Sequence, residues 1–219
     1  KDVAAEFVSD RPNDNIGLTI FAGEAFTQCP MTTDHGTLLN LMRNVNSNLV
    51  MSGLIQDGTA IGMGLSNSIS RLKDSKTKSK VIILLTDGSN NVGDISPMTA
   101  AQMAKTFGIR IYTIGFGTNQ MARIPVLVNG QVQYDQQQGT IDYKTLQNIA
   151  STTSGHFYRA ESRSELSQIY QDIDKLEKSK LTTSSYAKLY DIYQPFAFVA
   201  LLSMLLELLL RLTLFRRIP

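Results

Sequence analysis

The chain has 219 residues, 42% of them hydrophobic and 18% charged, with a formal net charge of +2. That is enough apolar material for one sizeable core and, by length alone, one domain. No basic stripe interleaved with aromatic residues occurs, which excludes nucleic acid as an expected partner. The lone Cys29 excludes an internal disulfide, cannot by itself build a metal site, and reads as a small buried hydrophobe.

The first residue is Lys1, no signal peptide follows, and the beginning of the chain is read as trimmed. Asp2 to Ser9 carries Val3, Ala4, Phe7 and Val8 at helical spacing, and Asp10-Arg11-Pro12 ends it. Ile16 to Ala22 predicts a strand, and Glu24 to Cys29 a short, more polar strand suited to a hairpin at a sheet edge. Thr33 or Asp34 caps a helix over about Thr37 to Val45.

Asp57-Gly58-Thr59 precedes a helix running to about Lys73, with Thr59 placed as its N-cap. A hydroxyl at such a loop tip can equally coordinate a divalent cation. Gly58, Gly62 and Gly64 lack the Gly-Lys-Ser/Thr and the preceding strand of a phosphate loop, so a nucleotide site is not expected.

Lys80 to Asn91 is the stretch around which the chain is organised. Val81 to Leu85 is five apolar residues long, rich in Val and Ile and closed by Thr86-Asp87-Gly88, which predicts a strand covered on both faces. Ligands of open α/β sheets bind beyond the carboxyl ends of strands, where Asp87 falls. Asp-Gly is also a common turn pair, so a plain turn role stays open.

Ser96-Pro97 starts a helix through Phe107, Ile109 to Phe116 is the next strand, and Ile124 to Tyr134 forms a hairpin around Asn129-Gly130. Asp142 caps a helix to about Thr152, His156 to Arg159 is a last strand, and Ser162 or Ser164 opens a helix to about Lys178. His35 and His156 share no metal-like spacing, and no hydrolase triad, HExxH or Cys-x-x-Cys occurs.

Phe196 to Phe215 is long enough as a helix to span about 30 Å, the thickness of a bilayer core. Glu207 and Arg211 are its charged residues, four apart and able to pair. A membrane span is therefore expected. Arg211, Arg216 and Arg217 favour a cytoplasmic carboxyl terminus, while Lys178, Lys180 and Lys188 flank the other side, so charge alone leaves the orientation open.

The order strand, edge hairpin, helix, Asp57-Gly58-Thr59 loop, helix, strand ending in Thr86-Asp87-Gly88, helix, strand resembles a von Willebrand factor type A (VWA) domain. The VNGQVQY insertion, the IDKLEKSKL segment and the closing YQPFAF and LFRRIP stretches resemble more narrowly the Bat aerotolerance family of bacteria such as Bacteroides. The resemblance implies an α/β, doubly wound, mostly parallel sheet. It divides the chain into a VWA domain at 1–178, a juxtamembrane linker at 179–194, a transmembrane helix at 195–215 and a basic tail at 216–219.

Domains of this type carry a metal-ion-dependent adhesion site (MIDAS), built from Asp-x-Ser-x-Ser, a Thr and an Asp on three loops. The resemblance assigns the Thr to Thr59 and the last Asp to Asp87 as metal residues. The Asp-x-Ser-x-Ser element is absent from this sequence and is expected before Lys1, together with the first strand. Mg2+ wants octahedral oxygen coordination, so the intact protein is expected to bind it and this chain weakly or not at all. The resemblance also places the missing strand between the strands at Ile16 and Val81, which predicts a central gap and low stability until it is filled.

The function so implied is a membrane-anchored, metal-dependent protein-binding module and not an enzyme. Other Bat-family proteins, a MoxR-type AAA+ ATPase and the lipid bilayer are the expected partners, in a role tied to aerotolerance or oxidative stress. The expected place is the bacterial inner (cytoplasmic) membrane, with the domain on its periplasmic side. The alternative is a Mg2+-dependent phosphotransfer enzyme of doubly wound fold using Asp87, against which Lys80 lies at the opposite end of that strand.

Overall fold

The computed structural model describes residues 1–46, 56–117, 121–128, 131–138, 141–184 and 194–213; side chains at 121–138, 179–184, 194–195 and 212–213 fall outside the description. The chain divides into two units, Lys1–Leu181 and Thr182–Pro219.

The first unit opens with α1 (Asp2–Ser9), followed by β1 (Ile16–Phe21) and β2 (Ala25–Thr32), which pair antiparallel as the expected hairpin. β2 continues past Cys29 to Thr32. α2 (His35–Asn44) is capped by Asp34, whose carboxylate accepts from the Thr37 amide at 3.0 Å. α3 (Ile61–Leu72) leads to β3 (Val81–Thr86), and α4 (Pro97–Thr106) leads to β4 (Arg110–Phe116).

β5 (Met121–Val128) and β6 (Gln131–Gln138) form the predicted hairpin, aligned Val128 to Gln131. Its turn residues 129–130 lie outside the described residues. α5 (Tyr143–Thr152) starts on Asp142, β7 (Phe157–Ala160) follows, and α6 (Arg163–Ser184) starts where Ser162 Oγ accepts from the Glu165 amide at 3.2 Å. α6 runs through the boundary expected at 178 without a break.

β3, β4 and β7 form a parallel sheet in that order, with Val81 opposite Arg110 and Thr86 opposite Gly115. Alternate side chains of a strand point to opposite faces. Val81, Ile83, Tyr112 and Ile114 accordingly pack with Leu166, Ile169, Tyr170 and Ile173 of α6 and Val3 of α1. Ile82, Leu84 and Ile111 face α3, α4 and α5 through Leu65, Ile69, Ala101, Ala104 and Ile149. Removing one such side chain, for example by Leu65→Ala, costs about 3 kcal/mol.

Among the described residues, the β1–β2 hairpin is not hydrogen-bonded to the β3–β4–β7 sheet. A cleft of about 500 Å³ is lined from one side by Ile16 to Thr19 and from the other by Val81 to Ile83. This is the gap expected between the Ile16 and Val81 strands. The two halves are joined by helices instead. On one face α1 sets Val3 against the β3–β4–β7 sheet and Val8 against the hairpin side, while on the other α3 packs on both Ile82 and Phe21.

In the second unit, α7 (Gln194–Thr213) coincides with most of the expected span. Among the described residues, no helix is long and apolar enough to cross a membrane, so the transmembrane expectation at 195–215 goes without support from the fold. Side chains along α7 are nonetheless bare, with Phe196 73% and Met204 68% exposed.

Candidate functional site

Three chain segments meet beyond the carboxyl end of β3. The first follows β1: the Ala22 carbonyl accepts from the Ala60 amide at 2.7 Å, and the Gly23 amide donates to the Gln56 carbonyl at 2.9 Å. A Cβ on Gly23 would lie 2.6 Å from the Gln56 oxygen, so only glycine permits this approach. The second segment is Gln56 to Ala60, and the third is Asp87 to Ile95. β1 and β3 thus end at one rim and run in the same direction.

Thr59 is gripped from the third segment. Asn91 Oδ1 accepts from the Thr59 amide at 2.7 Å, and the Asn91 amide donates to the Thr59 carbonyl at 3.1 Å. Asn90 Oδ1 accepts from the Gly62 amide at 3.4 Å, occupying a first-turn donor of α3. These contacts correct the expected role of Thr59. The N-cap of α3 is Ala60, with no side-chain cap, because the backbone of Thr59 is committed to Asn91. Its hydroxyl is left free to face the next loop.

That loop is shaped by Thr86, a buried residue whose hydroxyl accepts from the Gly88 amide at 3.2 Å and donates to the Gly88 carbonyl at 3.2 Å. The turn sets Gly88 against Thr59, since a Cβ there would sit 3.1 Å from Thr59 Oγ1. Thr59 and Asp87 therefore lie on touching loop tips, the carboxylate-bearing residue exposed and the threonine half-buried.

A hydroxyl and a carboxylate are the oxygen donors a hard divalent cation takes, but they supply two of about six positions. Among the described residues no cluster of three His, Cys, Asp or Glu could complete a metal site. The donor set fits in kind and falls short in number. Neither histidine is at this rim: His35 Nε2 bonds the Asp14 carbonyl at 2.8 Å, and His156 stacks on Tyr112. Lys80 Nζ donates to the Lys73 carbonyl at 2.9 Å, away from Asp87.

A second polar cluster, at the opposite end of the sheet, carries no mark in the sequence. Glu177 of α6 is 4% exposed and receives Tyr112 Oη at 2.6 Å, Ser79 Oγ at 2.9 Å and Arg110 Nε at 3.0 Å, with a further contact from Arg110 Nη2. Burial raises the Glu177 carboxyl, yet the hydrogen bonds from Arg110, Tyr112 and Ser79 outweigh it and hold it below the ordinary value. Burial and the neighbouring Glu177 push the Tyr112 phenol up. The partners of Glu177 precede it by 65 to 98 residues, so only the fold brings them to it.

Residues 1–172 match the von Willebrand factor type A domain, and the chain belongs to that family. It spans about half the length of the curated relatives it matches, 58% and 50% of two of them. Among solved structures it is similar to a conserved hypothetical protein, BatB, from Bacteroides thetaiotaomicron, at 27% identity and a TM-score of 0.66 over 81% of this chain and 86% of that one. An aerotolerance-related membrane protein from Bacteroides fragilis, carrying multiple mutations to serine, is 25% identical with a TM-score of 0.61 over 80% and 86%. Proximal thread matrix protein 1 of the mussel byssus, with a zinc-occupied MIDAS motif, is 26% identical with a TM-score of 0.57 over 80% and 40%.

Proposed function

We propose that this chain is a BatA-like member of the Bat group of VWA proteins, an interaction module that grips a protein partner through a shared divalent cation. The observation that carries the reading is the juxtaposition of the Thr59 hydroxyl with the Gly88 turn beside Asp87. Bound there, a Mg2+ ion would present open coordination positions to a carboxylate of the partner. Thr59 supplies a hydroxyl held in place by Asn91, Asp87 supplies the charge, and the surrounding loops select the partner. The zinc-occupied MIDAS of the mussel protein supports a divalent ion at such a rim.

The proposed partners are other Bat-family proteins and a MoxR-type AAA+ ATPase, in a complex linked to aerotolerance or oxidative stress. The bare apolar surface of α7, with the membrane description of the Bacteroides fragilis relative, supports attachment to a membrane, and the proposed place is the bacterial inner membrane with the domain on its periplasmic side. Relatives described above carry no enzymatic name, and Lys80 is turned to the Lys73 carbonyl at the other end of its strand, which leaves phosphotransfer at Asp87 without a lysine beside the phosphate.

Affinity capture from a Bat-encoding bacterium tests the proposal. The detergent-solubilised chain should retain Bat proteins and the ATPase in Mg2+, release them in EDTA, and fail to capture them as Asp87→Ala. Capture indifferent to both EDTA and the substitution would overturn it.

A further inference from the structure

The two ends of the β3–β4–β7 sheet carry opposite charge. At the rim, the segments 22–24, 56–60 and 87–95 hold Glu24, Asp57, Asp87 and Asp94, all exposed, and no lysine or arginine. At the other end, the ten residues from Arg71 to Lys80, which close α3 and lead into β3, include five basic residues and one acidic residue. The six residues of β3 separate the two groups by about 20 Å, two Debye lengths at about 0.1 M salt, so the acid of the rim does not cancel the pull of the basic loop.

The hydrogen bonds of this loop leave its lysines outward. The Ser75 amide donates to the Leu72 carbonyl at 3.0 Å, Thr77 Oγ1 donates to the Ser79 carbonyl at 3.0 Å, and Ser79 Oγ is spent on Glu177. Lys73, Lys76 and Lys78 are exposed and, among the described residues, pair with no carboxylate. From Lys73 to Lys80 there is no apolar or aromatic residue. Protein interfaces take their energy from such anchors, while a layer of anionic headgroups attracts lysine without one. The bond from Ser79 to Glu177 sets the loop beside the carboxyl-terminal part of α6, from which the chain runs on into the bare α7.

We propose that the loop from Lys73 to Lys80 docks on the headgroups of anionic phospholipids and stands the domain on the membrane with its rim turned away. The proposal rests on the membrane attachment of α7 given above. α7 supplies the hold, and the loop supplies the orientation that leaves Thr59 and Asp87 open to a partner.

The full chain is placed in neutral detergent micelles, in phosphatidylcholine vesicles and in vesicles with about 30 mol % phosphatidylglycerol, and acetylation by a neutral N-hydroxysuccinimide ester is followed lysine by lysine with mass spectrometry. Flotation with the neutral vesicles reads the attachment of α7 alone. The anionic vesicles should slow Lys73, Lys76 and Lys78 by about threefold or more over the neutral ones, because an anionic surface concentrates protons and keeps nearby amines charged. Lys144, next to the Tyr143 that packs on Gly115 at the rim end of β4, should react equally in both, and about 0.5 M NaCl should remove the difference at the loop. Lys76→Gln with Lys78→Gln should keep flotation and reduce the slowing at Lys73 to less than about twofold. Equal rates in both vesicles, or slowing of Lys144 as large as that of the loop, overturns the proposal. So does slowing in micelles at raised protein concentration, which assigns the loop to the acidic rim of a second copy. Loss of flotation with neutral vesicles, with the loop still slowed by the anionic ones, refutes the α7 attachment and supports the loop contact.

Discussion

Asn91 holds Thr59 at two points of the same residue, taking its amide hydrogen on Oδ1 at 2.7 Å and returning its own amide to the Thr59 carbonyl at 3.1 Å. The pair ties the loop after β3 to the loop before α3, so the two loops that carry the hydroxyl and the carboxylate of the candidate site are joined directly.

Asn91→Ala removes the side-chain half of that tie. Unfolding in denaturant should show a loss of about 1 kcal/mol, the net worth of one hydrogen bond. Asn91→Asp keeps an acceptor and should recover most of it. If neither change alters Mg2+-dependent partner capture, the rim does not depend on this clamp.

Gly88→Ala tests the site from the other side. The added methyl would stand 3.1 Å from Thr59 Oγ1, and Gly88 is not among the positive-φ residues, so the backbone accepts alanine. Stability should change by about 0.5 kcal/mol or less, while partner capture in Mg2+ should fall. Unchanged capture would show that the Thr59 hydroxyl is not used.

Metal alone should do little. With two protein oxygens on offer, Mg2+ at about 1 mM should leave the thermal midpoint of the chain where EDTA leaves it, because stabilisation by a ligand scales with its concentration over its dissociation constant. A midpoint that climbs steeply with Mg2+ would falsify the shared-cation reading and point to a complete site within the chain.

Gly62→Ala sets helix propensity against packing. Alanine favours the helix by about 1 kcal/mol, yet its Cβ would stand 1.9 Å from the Ile95 carbonyl oxygen. Backbone cannot retreat as a side-chain tip can, so overpacking should win and destabilise by about 2 kcal/mol net. Calorimetric unfolding of the variant reads the sign directly.

Glu177 makes stability fall in acid. Its folded carboxyl lies below the ordinary value of 4.5, so its contribution is complete above that value and disappears as pH falls through the folded one. Glu177→Gln should cost about 3 kcal/mol at neutral pH, by leaving Arg110 without its charge partner, and should flatten the acid limb of the stability profile. A pH series of denaturation midpoints on both proteins measures this.

The fold was legible wherever a local signal sufficed. The run from Val81 into Thr86 announced a strand, though the expected cover on both faces is incomplete, with Val81 and Ile83 half-buried beside the cleft and Leu85 exposed. Asp34, Ser96 and Asp142 each cap the helix that their position foretold. Thr59 misled because a threonine before a helix reads as a cap, while the asparagine that claims its backbone lies 32 residues on. Glu177 sits in a charged stretch of a helix and reads as solvated, and only the return of α6 across Tyr112 buries it. The open cleft was visible through family resemblance alone, since nothing in the residues of β1 or β3 states which strand stands beside them.

With helices and not a ladder bridging the two sheet halves, their alignment rests on side-chain packing. A ladder permits slippage only in whole steps, because its hydrogen bonds come at fixed intervals. Packed methyl groups set no such fixed interval, so the spacing of the two halves at this end is given by hydrogen bonds of the loops. The short stitches at the rim, from Ala22 through Ala60 and Thr59 to Asn91, fix where the end of the hairpin stands against the loop after β3.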